Sequence, residues 1–170
     1  MRQACQDRFI LGTATHVHIH GKQGFPMLWV YHMRTVEISV IEDSATDLQW
    51  LRVILSDVGL KHRLTVAADG EQGVDCLLRR GRYIGNPSAD LIFLDMHLPK
   101  FDGLEVLRKV PDSAQLPICL LTSSERERTL IGEHFGKPIG YLIKPLSAEK
   151  LIYYLRSHAP LRAVANALGV

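Results

Sequence analysis

The sequence has little of what marks a secreted, metal-clustered or nucleic-acid-binding chain. Its 170 residues contain three cysteines, Cys5, Cys76 and Cys119, with no CxxC pair and no metal-ligand spacing among them. An odd, scattered set argues against a disulfide framework. Cys76 falls in a helical pattern and Cys119 in an apolar run, so both read as buried thiols, and the expected compartment is the reducing cytoplasm. No apolar run approaches the length of a membrane span. The N-terminus, with Arg2, Asp7 and a polar, His-rich stretch, lacks the pattern of a secretory leader. Neither sign of charge dominates, since 20 Lys+Arg face 18 Asp+Glu and the formal net charge is +2. Without a basic block there is no electrostatic case for nucleic acid or membrane as a partner. Arg79, Arg80 and Arg82 come nearest to one and read as a solvated helix end. Internal repeats and low-complexity tracts are absent as well.

What is present is a regular alternation. At 46% hydrophobic and 22% charged residues, the chain has the composition of one globular domain. From residue 36 onward, apolar runs alternate with amphipathic segments. Val36–Ile41 is a first strand, and Ser44 caps a helix whose apolar face is Leu48, Leu51, Ile54, Leu55 and Val58, stopped by Gly59. Leu64–Ala67 is a weaker strand, followed by a helix through Val74, Leu77 and Leu78. Ala89–Leu94 is short and continuously apolar, as a strand covered on both faces must be. A helix over Gly103–Val110 ends at Pro111. Pro117–Leu121 and Ile139–Ile143 are the last strands, with helices around Ser124–His134 and Ser147–Ser157. Five β/α repeats predict an α/β fold: a doubly wound five-stranded parallel sheet of order 2-1-3-4-5, flavodoxin-like. Residues 1–34 lie outside the alternation and read as an irregular N-terminal extension, 35–158 as the domain, and 159–170 as a short C-terminal tail.

In such a sheet, ligands sit beyond the carboxyl ends of the strands, where strand order reverses. The polar residues collect there. Strand one ends in Glu42-Asp43, strand three in Asp95 and strand four in Thr122, and strand five is followed by Lys144-Pro145. Three carboxylates converging at one point favour a bound cation, and an all-oxygen set selects a hard ion such as Mg²⁺. A carboxylate there can act as nucleophile and form an acyl phosphate, with the Lys144 ammonium and Thr122 hydroxyl neutralising phosphoryl oxygens. Any one of these acids alone would read as a helix cap or a solvated loop residue. Their joint placement in strand order argues for the site. His16, His18 and His20 alternate with metal-ligand spacing, but in an irregular extension they read as a polar stretch.

The segments VIEDS (40–44), DLIFLDMHLPKFDGLEVL (90–107), LLTSS (120–124) and YLIKP (141–145) resemble the response-regulator receiver domains of two-component signalling. The likeness spans residues 36–158 and is closest to stand-alone receivers associated with phytochrome-type histidine kinases, which share the longer connection RRGRYIGNPSADLI. Met33 begins a stretch typical of receiver openings, so residues 1–32 are either a misassigned start or an irregular tail. The resemblance implies Asp95 as phosphoacceptor, with Glu42, Asp43, Asp95 and the backbone carbonyl of His97 as Mg²⁺ ligands. It further implies Thr122 as switch hydroxyl, Tyr141 as switch aromatic, Lys144 as phosphoryl partner and a cis Lys144-Pro145 bond. Two features depart from the pattern. Val110–Leu116 is a short connection, and His97 stands where close relatives often carry Asn.

The expected function is phosphoryl acceptance on Asp95 from a sensor histidine kinase, phytochrome-type among the candidates, or from a phosphotransfer protein. The face built from the Ser124–His134 helix, the fifth strand and the Ser147–Ser157 helix then switches for partner docking or homodimerisation. On that last helix, Leu151, Ile152 and Leu155 are expected to point inward and Tyr153 outward. Rival readings are a receiver that binds without being phosphorylated and a phosphohydrolase of the haloacid dehalogenase type. The hydrolase places a second Asp where His97 stands. A flavodoxin-type FMN carrier is disfavoured because Glu42-Asp43 would repel the FMN phosphate.

Overall fold

A computed structural model describes residues 35–111, 113–127, 140–158 and 161–167. The His16, His18 and His20 stretch, Met33, Cys5 and most of the expected Ser124–His134 helix lie outside these residues. The described strands are β1 (Val36–Ile41), β2 (His62–Ala67), β3 (Leu91–Asp95), β4 (Ile118–Thr122) and β5 (Gly140–Ile143). All pairings are parallel and the order is β2-β1-β3-β4-β5. The helices are α1 (Ala45–Asp57), α2 (Gly70–Leu77), α3 (Gly103–Lys109), α4 (Ala148–Ser157) and α5 (Arg162–Ala167).

The two-residue period of the strands divides the core. Val36, Ile38, Val40, Leu91, Phe93, Cys119 and Leu121 face one side, where Leu51, Ile54 and Leu55 of α1 and Leu151, Tyr154 and Leu155 of α4 cover them. Ile41, Ile92, Leu94, Ile118 and Leu120 face the other, against Cys76 of α2 and Val106 and Leu107 of α3. Every residue of β3 and β4 is buried, which is why these strands read as unbroken apolar runs.

Local chemistry sets the helix ends. Ser44 accepts from the Asp47 N–H at 3.2 Å and Ser147 from the Lys150 N–H at 3.2 Å. Asp69 caps α2, and Asp102 and Glu105 form a reciprocal capping box on α3. Beyond α1 the chain turns at Gly59, whose φ of 72° lies in the left-handed region.

Two expectations are corrected. Ile152 is only half-buried, and its expected inward place is taken by Tyr154, whose hydroxyl donates to the Ile118 carbonyl oxygen at 3.1 Å. The stretch after α4 is more than a tail, because α5 forms within it and Leu161, Val164 and Ala165 join the core on the α1/α4 side. Tyr153 is exposed, at 75%.

Candidate functional site

The carboxyl ends of β1, β3, β4 and β5 bring the predicted polar residues together. Glu42 follows β1 and Asp95 ends β3; because these strands are neighbours, the two acids meet although 53 positions separate them. Glu42 and Asp95 are buried, at 3% and 4% exposure, while Asp43 is exposed. One carboxylate oxygen from each of Glu42, Asp43 and Asp95 can be chosen so that all lie within 4.8 Å of one another.

Lys144, just past β5, closes the cluster. Its Nζ lies 2.8 Å from Asp95 Oδ1, 2.8 Å from Glu42 Oε2 and 2.7 Å from Asp47 Oδ2. The remaining oxygens accept from backbone, Glu42 Oε1 from the Ser44 N–H at 3.0 Å and Asp95 Oδ2 from the His97 N–H at 3.0 Å. Burial alone would lower the Lys144 pKa, but its bonds to Asp47, Asp95 and Glu42 outweigh it and hold the ammonium above its ordinary value. For Glu42 burial prevails, with the neighbouring Asp95 charge adding to it, so the carboxyl titrates above the usual range despite its bonds to Lys144 and Ser44. The Lys144–Pro145 bond is cis.

Thr122 is wholly buried at the end of β4. Its hydroxyl bonds to the Ser124 carbonyl oxygen at 3.0 Å and, more closely, to Glu127 Oε2. Tyr141 on β5 is half-buried, paired in register with Leu120 and packed against the α2/α3 side of the core. Gly103 holds the start of α3 against β3: a Cβ there would come within 2.6 Å of the Asp95 carbonyl oxygen.

The donor set fits a hard divalent ion. All three side chains offer oxygen, the two buried carboxylates each hold one bond per oxygen, and each oxygen has lone-pair capacity left. Residue patterning missed two participants. Asp47 reads as an acidic residue in the first turn of α1, and Glu127 as one near a helix start; neither local role reveals a bond to Lys144 or Thr122.

Residues 38–156 match the family model of the response regulator receiver domain. The chain belongs to the response regulator receiver family. This is a family of two-component signal transduction. Response regulator Rcp1 of Synechocystis sp. is 34% identical over 117 residues, covering 67% of this chain and 80% of Rcp1. The bacteriophytochrome response regulator AtBRR superimposes with a TM-score of 0.67 at 29% identity, over 76% of this chain and 94% of AtBRR. The Mn²⁺-bound form of Rcp1 superimposes with a TM-score of 0.56 at 29% identity, over 76% of this chain and 89% of that one. Other relatives are longer: the chain matches AfsQ1 of Streptomyces coelicolor at 36% identity over 69% of its own length but only 48% of AfsQ1. The receiver topology agrees with the sheet order expected from the sequence.

Proposed function

We propose that this protein is a response regulator whose receiver domain accepts a phosphoryl group on Asp95 in the presence of Mg²⁺. The observation that carries the reading is the meeting of Glu42, Asp43 and Asp95 within 4.8 Å with Lys144 Nζ 2.8 Å from the acceptor. Glu42, Asp43, Asp95 and the His97 carbonyl would hold the ion, for which the Mn²⁺-bound form of Rcp1 is a precedent. Bound there, Mg²⁺ neutralises charge on the transferring group and on the acidic cluster.

This chain's residues supply the rest. An Asp95 carboxylate oxygen attacks phosphorus as the bond to the donor breaks, and the donor departs with its electron pair. Lys144 supplies a charge-assisted bond to a phosphoryl oxygen and Thr122 a hydroxyl donor to another. Tyr141 then follows the movement of Thr122. A hydrogen bond to a charged group is worth about 1.5–3 kcal/mol, and inverting a two-state equilibrium from one extreme to the other takes roughly 5.5 kcal/mol. Thr122 and Lys144 together reach that scale at the upper end of the range, and either alone falls short.

The donor is a sensor histidine kinase, of the phytochrome-associated class by likeness to the bacteriophytochrome response regulators RtBRR and AtBRR, or a phosphotransfer protein. The protein acts in the cytoplasm as a signalling switch and not as a turnover enzyme. Its output face comprises β5, α4 with the exposed Tyr153, and the helix predicted after β4, and it serves partner docking or homodimerisation.

Incubation with acetyl phosphate and Mg²⁺ followed by intact-mass analysis tests this. A phosphate-sized adduct on the native protein and none on Asp95→Asn is expected. An adduct that persists on Asp95→Asn would move the acceptor elsewhere.

A further inference from the structure

The hydroxyl of Thr122 has one proton and two acceptors in reach, the Ser124 carbonyl oxygen and Glu127 Oε2. The carboxylate has the advantage, because a charged acceptor makes the stronger bond. Glu127 Oε2 also accepts from the Ser123 N–H at 3.3 Å, and its Oε1 lies 3.3 Å from His97 Nε2. One half-buried carboxylate therefore ties the end of β4 to the loop that follows Asp95.

An ordinary helix cap does not account for this. Residues 125–127 are helical, and Ser124 with Glu127 three positions on has the spacing of a capping box. In a capping box the Glu127 side chain would accept from the Ser124 N–H. That N–H goes instead to Thr122 Oγ1 at 3.2 Å, and the carboxylate turns to Ser123 and Thr122.

We propose that Glu127 is a positioning residue for the switch: it holds the Thr122 proton in the unphosphorylated protein and must give it up before Thr122 can serve a phosphoryl group. The inference rests on Asp95 being the acceptor. A phosphoryl oxygen and the Glu127 carboxylate offer Thr122 the same kind of bond, and a single hydroxyl proton serves one of them at a time. Glu127 thus subtracts from the gain that phosphorylation brings and biases the chain toward its inactive arrangement. The His97 ring, reaching over from the loop after β3, lies 3.3 Å from the carboxylate's other oxygen.

The test uses the full chain and beryllium fluoride as phosphoryl mimic, titrated calorimetrically in saturating Mg²⁺. Native protein, Glu127→Gln and Glu127→Ala are compared, each with Thr122 intact and as Thr122→Ala. With Thr122 intact, Glu127→Ala should bind the mimic about tenfold more tightly, the lower end of what one hydrogen bond to a charged group allows. Glu127→Gln should fall between, since its amide oxygen accepts without charge. On the Thr122→Ala background the three should agree within about twofold, an outcome that a merely structural role for Glu127 does not produce. Unchanged or weaker binding in both Glu127 variants, or an equal gain on the Thr122→Ala background, overturns the latch while leaving the phosphoacceptor standing. Failure of the native protein to bind the mimic overturns both.

Discussion

Lys144 and Asp95 form an ion pair of 2.8 Å inside the acidic cluster, so the cation we propose for a phosphoryl group already sits on the proposed acceptor. Glu42 and Asp47 hold the same ammonium at 2.8 and 2.7 Å. Under the proposed Mg²⁺ site, Lys144 would compete with the metal for two of the three acids.

Removing it should separate the two roles. In Lys144→Met, Mg²⁺ affinity should rise by roughly tenfold, because a unit charge pair about 4 Å apart at an effective dielectric of about 20 is worth about 4 kcal/mol, and a third of that suffices. Phosphorylation by acetyl phosphate should slow by at least about tenfold, for want of the charge-assisted partner. Calorimetric Mg²⁺ titration and timed intact-mass spectra read the two effects. Weaker Mg²⁺ binding in the variant would mean that Lys144 organises the acids and does not compete for them.

Gly103→Ala tests how tightly α3 fixes Asp95. In an open helix position the change would stabilise by about 1 kcal/mol. Here the new Cβ meets the Asp95 carbonyl oxygen at 2.6 Å and Met96 Cα at 3.1 Å, both backbone atoms. The overpacking cost of about 1–3 kcal/mol should prevail and lower the urea midpoint. The displacement of β3 should also slow phosphorylation. A raised midpoint would show that α3 can slide away at little cost.

The strand ends and helix caps were legible because their signals are local. Ser44 and Gly59 mark the limits of α1 by hydrogen bonding and backbone sign, and the unbroken apolar run before Asp95 follows from burial on both faces. Asp47 was not legible, since its partner lies 97 positions away and a first-turn acid already has a sufficient local reason. Glu127 was hidden in the same way by the spacing of a capping box. On α4 the pattern favoured aliphatic Ile152 over Tyr154, yet the ring fits only because Gly140 on β5 has no side chain: a Cβ there would meet the Tyr154 hydroxyl at 2.0 Å. That complementarity joins a strand and a helix, and the periodicity of neither element reveals it. As for α5, at 6 residues it is too short for a periodic signal.

Tyr154 gives a pH dependence of known sign. Burial pushes its ionisation far above the ordinary value of 10.0, and the adjacent Cys119 thiol adds to the shift. The native state thus keeps the phenol neutral while the unfolded chain ionises it near that ordinary value. Its contribution is complete below about pH 10 and is lost as pH rises beyond. Tyr154→Phe should cost about 1 kcal/mol at neutral pH through the lost bond to Ile118 and should lose stability less steeply in alkali. Urea unfolding at neutral pH and above pH 10 makes the comparison. Parallel pH profiles would place the alkaline sensitivity on another group.

Truncation after His158 tests whether α5 is part of the domain. Leu161, Val164 and Ala165 are buried against the α1/α4 side, and the His158 ring lies 4.1 Å from that of Tyr154, centroid to centroid. Burying a Leu and a Val is worth about 1.5–3 kcal/mol each as an upper bound. The turn into the helix adds the bond from the Leu161 N–H to the His158 carbonyl oxygen, 2.9 Å. Removing them should lower unfolding stability by about 2 kcal/mol, the burial of roughly one large apolar side chain. Mg²⁺ affinity should not change, because none of the three buried residues contacts Glu42, Asp43 or Asp95 through a described hydrogen bond or ion pair. Unfolding curves that overlay those of the full chain would mean that α5 rests on the domain without holding it.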